Sequence, residues 1–381
     1  MSHKLYNSVI FWQSTPSPHQ AAYIRSLTEA SNLSEVKLFL SLNDDKQRNS
    51  MGWHKPDYGS VHTIHLANKA TVDSTITLAD GNTVSIFSEF VADSNIRNIL
   101  QRSCQGEGII GLISEGRDWR GLKGSMRLMH SYICERRYVN RINFILAIGN
   151  LAKEWYMRCG FNPEIIFDFC YVVEKPIGIE QIHTDKKEPL KLIFVGQIIP
   201  RKRLDLLLQA LINFSSIPWT LRVIGNGSEL ETLVNFSRHN GLSDKIRFLG
   251  VMDNHHVRLE LASADVLVLP SDWDGWGAVV NEALMSGVRV ICSDYCGSAE
   301  LIRRKDYGYV FRANSLDSLV QVLQQQFSEG PVSWQDKQAV MRYSEAFCGP
   351  SVARYLSEII GFVTNGNQGI RPVAPWKIQP E

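Results

Sequence analysis

Leu269-Pro-Ser-Asp-Trp-Asp-Gly-Trp-Gly-Ala-Val-Val-Asn-Glu-Ala-Leu-Met-Ser-Gly287 decides the reading of this chain. The apolar run Asp265-Val-Leu-Val-Leu269 leads into it and reads as a buried strand. A turn dense in Ser, Asp and Gly follows, then a helix expected to start near Gly277. Asp274 and Glu282 stand on either side of seven intervening residues. A helix N-terminus offers unbonded N–H groups and the positive end of a dipole, which suits phosphate. Glu282, expected about one and a half turns into the helix, reaches toward a sugar hydroxyl. Together these features suggest a site for a sugar joined to a diphosphate.

Strand and helix signals alternate on both sides of that stretch. In the first half, apolar strands are expected at Ser8–Trp12, Val36–Leu42, Val61–Leu66, Thr83–Phe87, Gly108–Ile113 and Asn143–Ile148. Between them lie helices such as Ala21–Ala30 and Asn95–Arg102. A charged linker with Pro and Gly follows. The pattern then restarts with strands at Leu190–Val195, Thr220–Ile224, Lys245–Leu249 and Val288–Cys292. Such alternation implies mostly parallel sheets covered on both faces. The expected fold is α/β, with two doubly wound Rossmann-like domains facing across a cleft. The expected boundaries are 1–175, a linker at 176–189, 190–345, and a C-terminal helix with a polar tail at 346–381. That last helix is expected to pack back toward the first domain, and Thr364–Glu381 to be extended or disordered. Ligands in such sheets bind beyond the carboxyl ends of the strands.

Bulk properties agree with a soluble two-domain protein. The 381 residues exceed one ordinary core. Apolar residues make up 44% and charged residues 21%. A net charge of +1 gives no field for nucleic acid. Seven cysteines in no paired spacing argue against zinc or a disulfide framework and for a reducing compartment. There is no signal-peptide pattern and no run of about eighteen apolar residues. A cytoplasmic protein is expected.

Val195-Gly-Gln-Ile-Ile-Pro-Arg-Lys-Arg-Leu-Asp205 is the second informative stretch. Gly196 ends a strand, so backbone can approach a ligand there. Arg201, Lys202 and Arg203 precede a helix whose dipole opposes them, which makes sense with an anion nearby. Taken alone, the cluster is a solvated basic turn; beside the Leu269–Gly287 stretch, the anion reading is preferred. Ile224-Gly-Asn-Gly-Ser-Glu229 lacks the third glycine of a dinucleotide fingerprint, since Leu230 stands there. It reads instead as a loop lining a cleft.

With these motifs in order, the second half resembles the donor domain of the retaining glycosyltransferases of family 4 (glycosyl transferases group 1), which have the GT-B fold. Lys202 matches the family's Lys in V-G-R-L-x-x-x-K-G, which contacts the donor diphosphate. Gln197 stands where that motif has Arg, leaving Arg201 or Arg203 as the other nearby cations. Pro270–Ile291 matches P-S-x-x-E-G-F-G-L-x-x-x-E-A-M-A-x-G-x-P-V-I. Glu282 falls on the Glu that binds the ribose, and Asp274 stands where the first Glu is usual. Val223–Glu229 resembles I-x-G-x-G-P-E, and Phe248-Leu-Gly250 resembles F-L-G. The resemblance implies donor-binding roles for Gly196, Gln197, Lys202, Asn226, Gly275, Trp276, Gly277, Ala278 and Glu282. Asp274, with Glu115 and His19 of the first half, carries the catalytic expectation. Glu115 follows a strand end and His19 lies in the first strand–helix turn. The plainer reading of that half is that His19 caps or packs the first helix and that Arg117 and Asp118 pair with each other.

The implied activity is transfer of a sugar from a nucleotide-diphosphate sugar to a hydroxyl on a glycan or lipid-linked acceptor, in surface polysaccharide or glycolipid synthesis. Retention and independence of any metal or cofactor are implied with it. The rivals are a nucleotide-sugar epimerase of the same fold and a catalytically silent binding module. Arg117–Arg141 is rich in basic residues, with Leu122, Met126, Met129 and Ile133 at helical spacing. A helix of this kind can lie on an anionic bilayer, which would put the protein at the inner face of the membrane. The plainer expectation is that this stripe packs on its own sheet.

Overall fold

A computed structural model of the chain describes residues 8–30, 33, 35–42, 56–66, 83–88, 90, 93–175 and 188–378. The described residues up to Glu174, together with those from Ala346 onward, form one unit, and Lys175–Glu345 form a second. Most of the expected linker, 176–187, lies outside the described residues.

The first unit holds strands β1 (Ser8–Gln13), β2 (Glu35–Leu40), β3 (His62–His65), β4 (Thr83–Ser88), β5 (Ile109–Glu115), β6 (Phe144–Ile148) and β7 (Ile166–Phe169). Its helices are α1 (Pro18–Ala30), α2 (Ser94–Ser103), α3 (Gly121–Glu135) and α4 (Asn150–Arg158). The second unit holds β8 (Leu190–Val195), β9 (Trp219–Ile224), β10 (Ile246–Gly250), β11 (Val266–Leu269), β12 (Arg289–Ser293) and β13 (Gly308–Phe311). Around them lie α5 (Leu204–Ile212), α6 (Leu230–His239), α7 (Asn254–Ala262), α8 (Val279–Met285), α9 (Leu316–Glu329) and α10 (Trp334–Ser344). Helix α11 (Gly349–Thr364) returns to the first unit.

Both sheets are parallel. Their strand orders are β3-β2-β1-β4-β5-β6-β7 and β10-β9-β8-β11-β12-β13. Each order reverses beside its first strand, between β1 and β4 in one sheet and between β8 and β11 in the other. Burial on both faces explains the near-continuous apolar strands. All four residues of β11 are inaccessible, in register with Leu192–Ile193 of β8 and with Arg289–Cys292 of β12. Strands β7 and β13, four residues each and at sheet edges, escape the sequence reading.

Local chemistry sets the element ends. Asp93 caps α2 by accepting from the N–H groups of Asn95 (2.8 Å) and Ile96. Ser333 and Asp336 bond reciprocally at the start of α10. Asp265, just before β11, is buried. It accepts from the N–H of Lys191 (2.9 Å) and lies 3.8 Å from the buried Lys337 ammonium, which ties α10 to the sheet. A buried carboxylate needs such partners.

Two expectations are corrected here. The apolar residues of α3 do not pack on the sheet. Leu122, Met126, Met129 and Ile133 are exposed, while Gly124, Ser131 and Glu135 face inward. The reason is Arg117. Its guanidinium donates to Ser131 Oγ and Glu135 Oε1, each at 3.0 Å, and so fixes the polar side of the helix inward. The same contacts remove the expected Arg117–Asp118 pair, since Asp118 pairs with Arg120 at 3.0 Å instead.

The tail is not loose either. Trp376 is buried, and Lys377 lies 2.8 Å from Asp168 Oδ2. Arg371 covers the Phe167 ring at 4.2 Å and donates to the Ile166 carbonyl at 2.8 Å. Composition alone read the tail as polar and missed its single indole, which packs edge-on against Tyr355 of α11 at 6.0 Å. Tyr355 of α11 adds a hydroxyl bond to the Asp168 carbonyl at 3.0 Å. Tyr355→Phe is expected to cost about 1 kcal/mol, read as a lower urea midpoint with the slope unchanged.

Candidate functional site

Four strand ends of the second unit meet at the point where its sheet order reverses. The loop after β8 is Gly196–Arg203, and the loop after β9 is Gly225–Glu229. Gly196 donates to the Ile224 carbonyl and Ile198 to the Asn226 carbonyl, at 3.0 and 2.9 Å. The approach of these loops is too close for side chains. A Cβ on Gly225, at φ 138°, would stand 1.9 Å from the Gly196 carbonyl oxygen. The loop after β11 joins through Asp272 N–H to the Arg201 carbonyl at 2.8 Å, and through Arg201 Nη1 to the Trp273 carbonyl at 2.6 Å. The turn after β12 closes the set. Asp274 N–H donates to the Tyr295 carbonyl, and Gly297 N–H to the Asp274 carbonyl, at 2.9 and 3.0 Å.

The chemistry-bearing groups lie on these loops. Lys202 Nζ and Asp274 Oδ2 form an ion pair across the switch point, with each side chain 13% exposed. Gly277 takes φ 86°, and the N–H groups of Gly277 and Ala278 have no hydrogen-bond acceptor among the described residues. Helix α8 begins at Val279, two residues later than expected, and has seven residues. Its dipole is correspondingly small, so the unbonded amides of the turn matter more than the helix. Glu282 lies one turn from the Ala278 cap and is half-buried. Its carboxylate makes no hydrogen bond or ion pair among the described residues. Burial raises its pKa to about 7, opposed only weakly by Arg258.

Other expected residues on these loops are engaged differently. The Trp276 indole is buried and donates to Asn281 Oδ1 at 2.8 Å. It packs α8 against the turn, so the donor-binding role expected of Trp276 rests on its backbone. The basic cluster also divides. Arg203 forks onto Asp205 at 3.0 and 3.1 Å, and Arg201 holds the Trp273 carbonyl. Only Lys202 of the three turns to Asp274. Gln197 and Asn226 are exposed at their loop tips.

In the first unit, His19 lies in the first turn of α1 and stacks on Tyr171 at 5.2 Å. Glu115 ends β5, two strands from β1 in the sheet order. Both therefore sit at carboxyl strand ends of that sheet. Beside His19 lies a polar group that sequence reading did not single out. Gln20 Oε1 accepts from Gln13 Nε2 at 2.8 Å and from the Tyr23 hydroxyl at 3.0 Å, while Tyr58 bonds Ser17 N–H at 2.9 Å. Ser298 in the second unit also went unread. It is fully buried, its Oγ has no hydrogen-bond partner among the described residues, and it lies 3.2 Å from where a Cβ on Gly277 would stand. The signal available was the polar turn Asp294–Ser298 directly after a strand.

Residues 178–344 match the family described as glycosyl transferases group 1, so the second unit is a domain of that kind. The chain is 25% identical over 219 residues to a phosphatidyl-myo-inositol mannosyltransferase of Mycobacterium leprae, covering 55% of this chain and 57% of that protein. The chain spans between 14% and 57% of the length of the curated relatives it matches. Among solved structures, the lipopolysaccharide outer core galactosyltransferase WaaB in its apo form superposes with a TM-score of 0.69 at 16% identity, over 95% of this chain and all of that one. Anabaena HepE in complex with UDP gives 0.66 at 13% identity, over 93% and 99%. At such identities the likeness shows the fold, the expected pair of α/β units of GT-B type.

Proposed function

We propose that the chain is a retaining glycosyltransferase that moves a sugar from a nucleotide-diphosphate sugar to a hydroxyl on a glycan or lipid-linked acceptor. The synthesis of a surface polysaccharide or glycolipid, on the cytoplasmic side of a membrane, is the setting. One observation carries the reading. Lys202, with the Gly277 and Ala278 amides and the Glu282 carboxylate that have no partner among the described residues, stands at the switch point of the second sheet, where such folds take their ligands. The family match over 178–344 covers all of them. HepE, of the same fold, is described with UDP.

The donor diphosphate lies between Lys202 and the Gly277–Ala278 amides. The ribose hydroxyls donate to Glu282. Asp274, with the Gly275–Gly277 backbone, holds the sugar, and Gly196, Gln197 and Asn226 border the donor. Negative charge gathers on the departing diphosphate, so a cation and fixed amides already in place lower the barrier. Those groups supply the charge without a metal. On the first unit, His19 and Glu115 are the groups for the acceptor hydroxyl.

A thermal-shift panel of nucleotide sugars tests the reading. One of them is expected to raise the melting temperature, since a ligand at 100 times its Kd adds about 2.7 kcal/mol. If none does at millimolar concentration, the donor site fails. Sugar transfer from that donor is expected to survive EDTA, with the anomeric configuration retained in the product by proton NMR. Donor binding without transfer to any acceptor would leave a binding module.

A further inference from the structure

The outward face of α3 has a composition that no globular surface needs. Leu122 is 87% exposed, Met126 68%, Met129 62% and Ile133 66%. At 3.6 residues per turn these four side chains fall within about 60° of arc. They point away from Gly124, Ser131 and Glu135, which dock the helix. Most helices hide their apolar stripe and wet their polar side; α3 does the reverse. Its orientation is fixed by the Arg117 contacts to Ser131 and Glu135 and by Leu128, which packs on the core. The exposed row is therefore a stable feature of the fold.

The charges around the row identify what covers it. Lys123 and Arg127 are exposed on one flank, and Arg136 and Arg137 are exposed just past the last turn. Arg136 lies over the Tyr132 ring at 4.9 Å, which puts an aromatic and a cation together at the edge of the row. Among the described residues none of these four cations forms an ion pair, although Arg127 donates to the Asp118 carbonyl and its charge reaches that carboxylate. Asp118 is paired with Arg120, and Glu135 is turned inward to Arg117. A second copy of the chain would bring one predominantly basic rim against another. An anionic bilayer suits both parts of the surface, its acyl boundary taking the apolar row and its headgroups the cations.

We propose that α3 is a membrane-seating element, lying in the plane of an anionic leaflet with Leu122, Met126, Met129 and Ile133 inserted and Lys123, Arg127, Arg136 and Arg137 at the headgroups. This gives the peripheral membrane setting of the proposed function its contact surface, but it stands on α3 alone and does not depend on the donor site. It is also economical in length. No described helix is long and apolar enough to cross a membrane, so contact of this kind is shallow and reversible.

Co-sedimentation of the full chain with vesicles of phosphatidylcholine, with and without roughly 30% phosphatidylglycerol, tests it. The chain is expected to sediment with the anionic vesicles and to release as salt rises. Lys123→Gln with Arg127→Gln is expected to weaken partitioning about fivefold per charge. Met126→Glu with Ile133→Glu is expected to weaken it at least about tenfold. The gentler pair Met126→Ser with Ile133→Ser gives a smaller loss in the same direction. All four side chains replaced are exposed, so circular dichroism and donor binding are expected to stay at wild-type values. Absence of binding to anionic vesicles overturns the proposal, as does binding that the glutamate variants leave unchanged. A dimer that those variants dissolve, without vesicle binding, assigns the row to a second copy and overturns it too. Donor binding is measured on the same samples, so loss of the vesicle result leaves the donor reading standing, and the reverse also holds.

Discussion

Glu282→Gln is expected to lower donor affinity by about 100-fold or more while making the empty protein more stable above pH 7. The first half of that result follows from what the carboxylate lacks. In the empty site it accepts nothing among the described residues, and burial holds its pKa at about 7 rather than near 4.5. Two ribose hydroxyls would give it two charge-assisted hydrogen bonds, worth roughly 1.5–3 kcal/mol each. An amide keeps the shape but loses the charge and turns a donor toward one of the hydroxyls.

The second half follows from linkage. An acid whose folded pKa is raised resists ionising in the folded state. As pH climbs past about 4.5 the unfolded chain gives up its proton first, and stability falls until the folded group ionises near 7. Above that pH the full penalty, about 2 kcal/mol for a half-buried group, is in place. Glutamine removes it, so the melting temperature at pH 8 is expected to rise by several degrees, and the gain to vanish as pH falls toward about 5. Donor binding favours the charged carboxylate, so wild-type binding at pH 7 is expected to release part of a proton. Calorimetry in two buffers of different ionisation enthalpy reads that release. A variant that binds the donor as well as the wild type removes Glu282 from the site. Weaker binding without the gain in stability at pH 8 shows that the carboxylate is not strained in the empty protein.

How far the sequence could be read depends on which forces set each feature. The parallel sheets were legible because strands buried on both faces must be apolar throughout, as Val266–Leu269 is. Three of the four site loops were legible because each carries its own punctuation, at Gly196, at Gly225, and at Pro270 and Gly277. What could not be read is whatever depends on distant partners. Nothing in the sequence shows which way Trp276 turns between its two glycines; Asn281 takes its indole N–H into the interior. The three cations at 201–203 look like one cluster, yet Trp273, Asp274 and Asp205 separate them. Periodicity found the stripe on α3 but could not say which way it faces, because Arg117 decides that from outside the helix. Ser298 gave no signal of its own, since a lone serine after a strand is ordinary.

Asp274→Asn is expected to bind a free nucleoside diphosphate about tenfold more tightly than the wild type and to transfer sugar about 100-fold more slowly. In the empty protein the Lys202 ammonium is paired with Asp274, and both are mostly buried. A diphosphate must therefore share a cation whose charge is already met. Removing the carboxylate's charge returns the full field of Lys202 to the phosphates and also removes a negative neighbour. A gain of about 1.4 kcal/mol is in keeping with close charges at a protein surface. Turnover moves the other way, because the carboxylate proposed to hold the sugar is lost while tighter product binding slows release. The empty variant is expected to lose about 2 kcal/mol of stability, since breaking a buried pair strands its partner. Lys202→Met combined with Asp274→Asn recovers part of that loss, because no lone charge remains, but binds the diphosphate more weakly than the wild type. Asp274→Glu keeps the charge on a side chain one methylene longer, so it is expected to keep the stability and to change turnover more than diphosphate affinity. The opposed signs carry the test. A merely structural Asp274 would lose affinity and turnover together as the loop loosened, whereas a residue that competes with the diphosphate for Lys202 separates them.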